Sequence, residues 1–559
     1  MDKDSLITET PGLKEVLGNI EAARAYVEKN ESVKIVVVVS GSEADTVNFK
    51  DRLDKVKCRI FNRDGSTLVL SFQEKIGKKT REGNFLGTLL AYHSLKKAAQ
   101  EAGIKYRDLV TLVGMVFGRG ERMSPITQAN RCSKPSIRVT PANVELKGKR
   151  IAFTAIEEAL MYFTPVAKYL ERRGFRGILD KWGDETEIPS RDLTEEPEDA
   201  ASMREYDVIK IISVLEITEE LAKQKEWAVF DDDDNMLAQL SRGRKDTLIE
   251  QLKQMGIKPR EDGKYYAGVS LGPVAVSYDV LDIASEVFSD EIVKEDIFLD
   301  FDPFFLMALA MKDASAWDAA LEVNEGMKKL IGIIPDFFEK VQEIKNIFRK
   351  KYGRELNLKV LDLGGDVYWA DIGQHGAMRD KFLSFNDKGA RGITARKIAG
   401  IDGERDGRGN IIVNSEISSN VTVSDSVIVN SRITGTGKIT GSVIIDSQLA
   451  DIEMTEAFAV RSARLGKTVL KQKSGLFESL GADDITLEEG MRHVAVLTSK
   501  GKVDMRVSEE TDLRDKDNTY NVPIFGNDIS FEDAYNEMFG VSSEELEKRR
   551  RETWKTLKG

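Results

Sequence analysis

Between Ile411 and Leu449, in IIVNSEISSNVTVSDSVIVNSRITGTGKITGSVIIDSQL, aliphatic residues recur at every sixth position: Ile411, Ile417 and Val423, then Val427, Ile433, Ile439 and Ile445 after one phase slip. Small or polar residues fill most of the gaps. Hexads of this kind stack short strands into a parallel β-helix, because one coil is too small to bury its own apolar face and needs neighbours. A plain β-sandwich with coincidental spacing is the alternative. This reading places a coil domain at 401–470, between an α/β region at 1–400 and a C-terminal extension at 471–559 of mixed and helical character.

The α/β assignment rests on alternation of strand and helix signals. LKEVLGNIEAARAYVEKN reads as a helix, VKIVVVV as a strand covered on both faces, TLVLSF as a second strand and LGTLLAYHSLKKAAQEAG as a helix. LVTLVGMVF is another buried strand, and the long helix IEEALMYFTPVAKYLERRG, carrying Pro165, precedes FRGILDKWGDE. Such alternation indicates a largely parallel sheet. The acidic run Asp231–Asp234 reads as the hairpin turn between WAVF and NMLAQL.

With 559 residues and a formal net charge of -12, the chain lacks the positive field that nonspecific nucleic-acid or membrane-surface binding needs. Two cysteines, Cys58 and Cys132, cannot make a multi-bridge framework, and three histidines do not suggest a histidine-rich metal site. With no apolar signal core and no apolar run long enough to span a bilayer, the expected location is cytoplasmic, with no membrane or nucleic-acid partner.

The stretch VFGRGERMSPITQANRCSKPSI follows directly on a strand. A strand that ends in a glycine-rich loop aims backbone N–H groups at what docks there, usually phosphate. Gly118 and Gly120 would allow close backbone approach; Arg122 adds a fork suited to phosphate oxygens and Lys134 a compact positive charge.

The series Gly118, Gly120, Arg122, Met123, Pro125, Thr127, Lys134 and Pro135 resembles the loop G-G-x-G-T-R-[LM]-x-P-x-T…K-P of the sugar-1-phosphate nucleotidyltransferases; Phe117 and Glu121 depart from it. Trp182-Gly183-Asp184 resembles the family's strand-end G-D, with Asp180 a second acid on that strand, and Tyr368 to Gly373 resembles the later D-[VI]-G stretch. The resemblance implies that Asp184 and Asp371 hold Mg2+, that Arg122 and Lys134 act on a nucleoside triphosphate, and that Gly118, Gly120, Glu121, Gly87 and Thr88 contact the nucleotide. It further implies a left-handed hand for the β-helix and a sugar-1-phosphate as second substrate, with a homo-oligomer possible. Gln73 could contact the base. Lys245, Arg242 and Arg244 lie where the family places an E-K-P lysine, but no E-K-P is present.

In the family the loop opens the domain; here a strand, a helix and the family-like Leu86 to Ala91 precede it. The implied fold is a mostly parallel, Rossmann-like α/β nucleotidyltransferase sheet in circularly permuted order, with 1–105 part of that sheet, followed by the β-helix. A separate N-terminal α/β unit is the alternative. Function has alternatives too: a noncatalytic sugar-nucleotide-binding or assembly protein, which Phe117, Glu121 and the missing E-K-P favour, or a β-helix acyltransferase, which would usually need a histidine absent from the hexads.

Overall fold

The structure, a computed structural model, describes residues 7, 9–74, 83–116, 118–294, 297–311 and 314–558; Phe117 lies outside the described residues. Helix α1 (Leu13–Lys29) leads to β1 (Ile35–Ser40), a strand buried along its whole length. Its run of β-branched side chains suits a pleated surface covered on both faces. Then come α2 (Glu43–Ile60), β2 (Leu68–Gln73), α3 (Gly83–Glu101), β3 (Val110–Val116), α4 (Ala155–Arg172) and β4 (Gly177–Trp182). The four strands pair in parallel in the order β2-β1-β3-β4: Val36 lies opposite Val69 and Leu112, and Leu112 opposite Leu179. VKIVVVV therefore sits inside the sheet that carries the glycine loop.

Beyond β4 the same sheet turns antiparallel. After the short β5 (Glu185–Ile188) come β6 (Val208–Glu216), β7 (Trp227–Phe230), β8 (Met236–Leu240) and β9 (Tyr266–Ser277); β9 runs antiparallel to β4, β6 and β7, and β10 (Leu358–Asp362) parallel to β6. Parallel pairing thus describes the N-terminal strands and the β6–β10 pair, and the remaining pairings are antiparallel. One reason is local: β7 and β8 are joined by the acidic turn, a connection only antiparallel strands accept, and Asp231 caps it by accepting the N–H groups of Asp233 and Asn235.

The hand of the crossovers carries information. Val36, Val38, Val69, Leu112 and Leu179 share one core with α1, α2 and α4, whereas Ile35, Val37, Val39, Val113 and Ile178 share another with α3 and α5 (Tyr278–Val287). The connections β1-α2-β2 and β3-α4-β4 therefore cross the same face in opposite directions and have opposite hands. The connection β2-α3-β3 moves in the direction of β3-α4-β4 but over the other face, so it shares the hand of β1-α2-β2. About 98% of such crossovers are right-handed, and β3-α4-β4, which contains the loop, is the one whose hand differs from the other two.

After the helices α6 (Phe337–Tyr352), α7 (His375–Leu383) and α8 (Ala390–Ala399) the chain becomes strand-rich. Ile411–Val413, Val427–Val429, Val443–Ile445, Phe458–Val460 and Gly475–Phe477 pair in parallel one after another, with two further ladders alongside. Successive rungs are about 16 residues apart, as in the N–H of Ser442 donating to Ser426 Oγ. The apparent six-residue period mixes two faces. Ile428, Ile433, Ile439, Ile444, Leu449 and Met454 fill the interior, while Val427, Val429, Val443 and Ile445 on the same strands pack against the α/β core. The phase slip between Val423 and Val427 falls where the chain passes from strand Val421–Ser424 to strand Val427–Val429, which belong to different ladders.

Serines stitch the corners, Ser447 N–H donating to Ser431 Oγ and Ser462 N–H to Ser447 Oγ. The residue before each, Asn430, Asp446 or Arg461, has positive φ. Parallel pairing continues past residue 470 to Met491–Thr498, since Leu470, Leu476, Ile485 and Leu487 keep the interior filled after the aliphatic spacing has faded. Two helices, α9 (Phe531–Met538) and α10 (Ser543–Lys558), end the described chain. Among the described residues no helix is long and apolar enough to cross a membrane.

Candidate functional site

The C-terminal ends of β3 and β4 lie side by side, the usual place for a ligand in an open α/β sheet. From β3 the chain enters the loop with Gly118 at φ 93° and Gly120 at φ 64°. The two glycines differ in role. A Cβ on Gly118 would meet nothing within 4 Å, whereas one on Gly120 would stand 2.8 Å from Thr127 Cγ2 and 3.1 Å from Lys134 Cγ. Gly120 thus folds the loop onto Thr127 and Lys134. Gly120→Ala is expected to destabilise the protein by about 1–3 kcal/mol, through a left-handed backbone and a clash, read as a lowered melting temperature; Gly118→Ala is expected to cost less.

From β4 the chain turns at Gly183, where a Cβ would press within 3.2 Å of Met115 O, and reaches Asp184. β5 then pairs antiparallel with β11 (Tyr368–Asp371), Asp371 lying opposite Glu185, and the N–H of Ile372 donates to Asp184 O at 3.3 Å. The two aspartates separated by almost two hundred residues of sequence are thereby neighbours. Lys134 reaches Asp184 from the loop and forms an ion pair with it, both side chains largely buried. Asp371 Oδ1 accepts the N–H of Gly373 at 2.5 Å. Burial first, and then the Asp184 carboxylate, push the Asp371 carboxyl above its ordinary range, against the pull of Gly373 N–H, Lys134 and Arg122. Arg122 itself is exposed and has no ion pair among the described residues.

Four of the sequence-derived site residues, Arg122, Lys134, Asp184 and Asp371, therefore converge. Gly87 and Thr88 do not join them through any hydrogen bond among the described residues: both are buried inside α3, where the Thr88 hydroxyl donates to Asn84 O. Asp180 points elsewhere, accepting Val274 N–H, and burial pushes it up to about 7. Gln73 ends β2 and is exposed. Of the basic residues near 242–245, Arg242 pairs with Glu226 at 3.6 Å.

Sequence reasoning missed Lys225. Its ammonium stands 3.7 Å from the centroid of the Trp369 ring, close enough to Glu185 and Asp371 to feel both, and it has no ion pair among the described residues. Burial lowers its affinity for a proton. No motif surrounds it, so the signal was absent from the sequence. Glu121 also reads differently: it is bound by Arg119 at 3.2 Å and by Lys516 at 2.9 Å. Of the three histidines, His375 and His493 are buried and burial pushes both down to about 3, while His93 is exposed on α3.

Among the described residues no group of three or more His, Cys, Asp or Glu is arranged to enclose a metal ion. Mg2+ asks for less, because it usually takes one or two carboxylates and completes its shell with water and substrate phosphates. Asp184 and Asp371 are hard oxygen donors of the class that Mg2+ takes, but Lys134 already neutralises Asp184, so a cation there would have to displace that ammonium. No protein-family profile matches the chain, and no curated protein is detectably similar to it.

Proposed function

We propose that the protein is a sugar-1-phosphate nucleotidyltransferase, joining a nucleoside triphosphate to a sugar-1-phosphate and releasing pyrophosphate. The observation that carries this reading is the convergence of Arg122, Lys134, Asp184 and Asp371 at the ends of β3 and β4. The attacking phosphate is already anionic, so no protein nucleophile or general base is required; positioning and charge neutralisation suffice. Lys134 and Arg122 steady the triphosphate as charge shifts onto pyrophosphate. Asp184 and Asp371 would hold Mg2+, which supplies neutralisation of phosphate charge. For Lys134 to meet phosphate it must exchange its Asp184 partner, and Lys225 offers a further cation within the field of Asp371.

The fold reading that accompanies it is a sheet of altered connectivity followed by a left-handed parallel β-helix. Support comes from the odd crossover. If α4 led to β1 and α3 led to β4, as in the family's order, every crossover among these strands would share one hand, as right-handed crossovers generally do. The 16-residue rungs support a coil of three short faces.

The test is pyrophosphate release across a panel of nucleoside triphosphates and sugar-1-phosphates with Mg2+. Release with one matched pair is expected, abolished by excess chelator, and Asp371→Asn should raise the Mg2+ concentration needed for half-maximal rate by about tenfold while leaving the melting temperature within a few degrees. Full activity in chelator would remove the two-aspartate assignment. The existing Lys134–Asp184 pair also favours a second reading, a noncatalytic sugar-nucleotide binder, for which the panel would give binding without pyrophosphate.

A further inference from the structure

The glycine loop is not left to itself. A segment some 400 residues further along the chain is laid over it and bonded to several of its residues. Arg119 pairs with Glu532 at 2.6 Å and lies 4.1 Å above the ring of Tyr535. Gln128 Nε2 donates to Phe531 O at 3.2 Å and Arg131 Nε to Val541 O at 2.9 Å. Phe531, Ala534 and Met538 are buried in the same core as Met123 and Ile126 of the loop. The segment is thus a built part of the loop's surroundings rather than a loosely held tail.

Within this arrangement Glu121 and Lys516 stand out. An acid in a phosphate loop repels the ligand the loop is shaped for, unless a cation answers it. Glu121 is answered twice, by Arg119 from the loop and by Lys516 from the C-terminal segment. Arg119 is committed to Glu532 as well, but Lys516 has no second acidic partner among the described residues and its side chain keeps 48% of its exposure. Its ammonium is held one residue from Gly120 and one from Arg122, with donors to spare.

We propose that Lys516 is a phosphate-binding residue of the glycine-loop site, carried there by the C-terminal segment and positioned by Glu121. The ligand class is the polyphosphate chain of a nucleoside triphosphate, so the inference rests on the reading of the loop as a triphosphate site. It assigns the departure at Glu121 a purpose: the acid is the socket for a cation that comes from outside the sheet domain.

The experiment uses the full-length protein and two probes. Inorganic tripolyphosphate binding is measured by calorimetry, and KM and kcat by pyrophosphate release with the best triphosphate. Lys516→Ala is expected to weaken tripolyphosphate binding and raise KM for the triphosphate by roughly tenfold, with kcat within about twofold, the loss of one charge-assisted contact. Lys516→Arg should recover most of the affinity. Glu121→Gln should weaken binding by a smaller factor, because Lys516 loses its anchor while the site loses a repelling charge. Wild-type tripolyphosphate affinity in Lys516→Ala overturns the proposal. So does equal loss in Lys516→Ala and Lys516→Arg with a lowered melting temperature, which would mean that the residue only docks the segment. Failure of the wild type to bind tripolyphosphate also overturns it. If instead the wild type binds and Lys516→Ala does not, while no triphosphate and sugar phosphate pair releases pyrophosphate, Lys516 stands and the transfer reaction falls.

Discussion

Arg122→Ala should reduce kcat/KM at least a hundredfold and leave the melting temperature unchanged, whereas Lys134→Ala should do both kinds of damage. The difference follows from burial. Arg122 is exposed and unpaired among the described residues, so its removal strips the site of a cation and nothing else. A lost charge-assisted contact to a transferring phosphate commonly costs about 2.7–4 kcal/mol of transition-state stabilisation. Lys134 is 18% exposed and holds Asp184, whose side chain is 10% exposed. Without it a largely buried carboxylate loses its cation beside a second one, a loss of roughly 1–3 kcal/mol of stability on top of the kinetic effect. The measurement is steady-state pyrophosphate release together with thermal unfolding of both variants. Near-normal rates for both in an active protein would take them out of the site.

What the sequence made legible was the local chemistry of strand ends. The loop and the Gly183-Asp184 turn each follow a strand whose apolar run is readable, and parallel register sets those two strand ends side by side; Asp371 ends a strand of its own, which antiparallel pairing with Glu185–Ile188 brings beside Asp184. Less readable was anything that depends on partners far away. Glu121 looked like a misplaced charge because Lys516 lies at a sequence separation of 395. Lys225 carries no pattern because its environment is made by Trp369 and Asp371 from another strand. Gly87 and Thr88 matched a helix start by letter, yet α3 begins at Gly83, so they fall inside it, buried against the sheet. The rung length was obscured for a further reason: strands such as Val427–Val429 are apolar on both faces, and residues of either face can be counted into a false period.

Deleting residues 1–105 should leave an insoluble or unfolded remainder with no activity. β1 lies between β2 and β3, so the deletion strips β3 of its partner from Val36↔Leu112 to Ser40↔Val116 and exposes a long edge beside the loop. Ile35, Val36, Val37, Val38 and Val39 are each at most 1% exposed. At about 1.5–3 kcal/mol per buried aliphatic side chain, this strand alone contributes on the order of 10 kcal/mol, comparable with the whole stability of about 5–15 kcal/mol of a folded domain. α1 goes as well, uncovering the face of α4, whose Tyr162 is buried beside it. An independent N-terminal unit would behave otherwise, its removal leaving a soluble and active core. Expression of residues 106–559, followed by circular dichroism and pyrophosphate release, separates the two. A folded, active fragment would mean that the paired register of β1 and β3 contributes little, and that the altered connectivity has no bearing on the site.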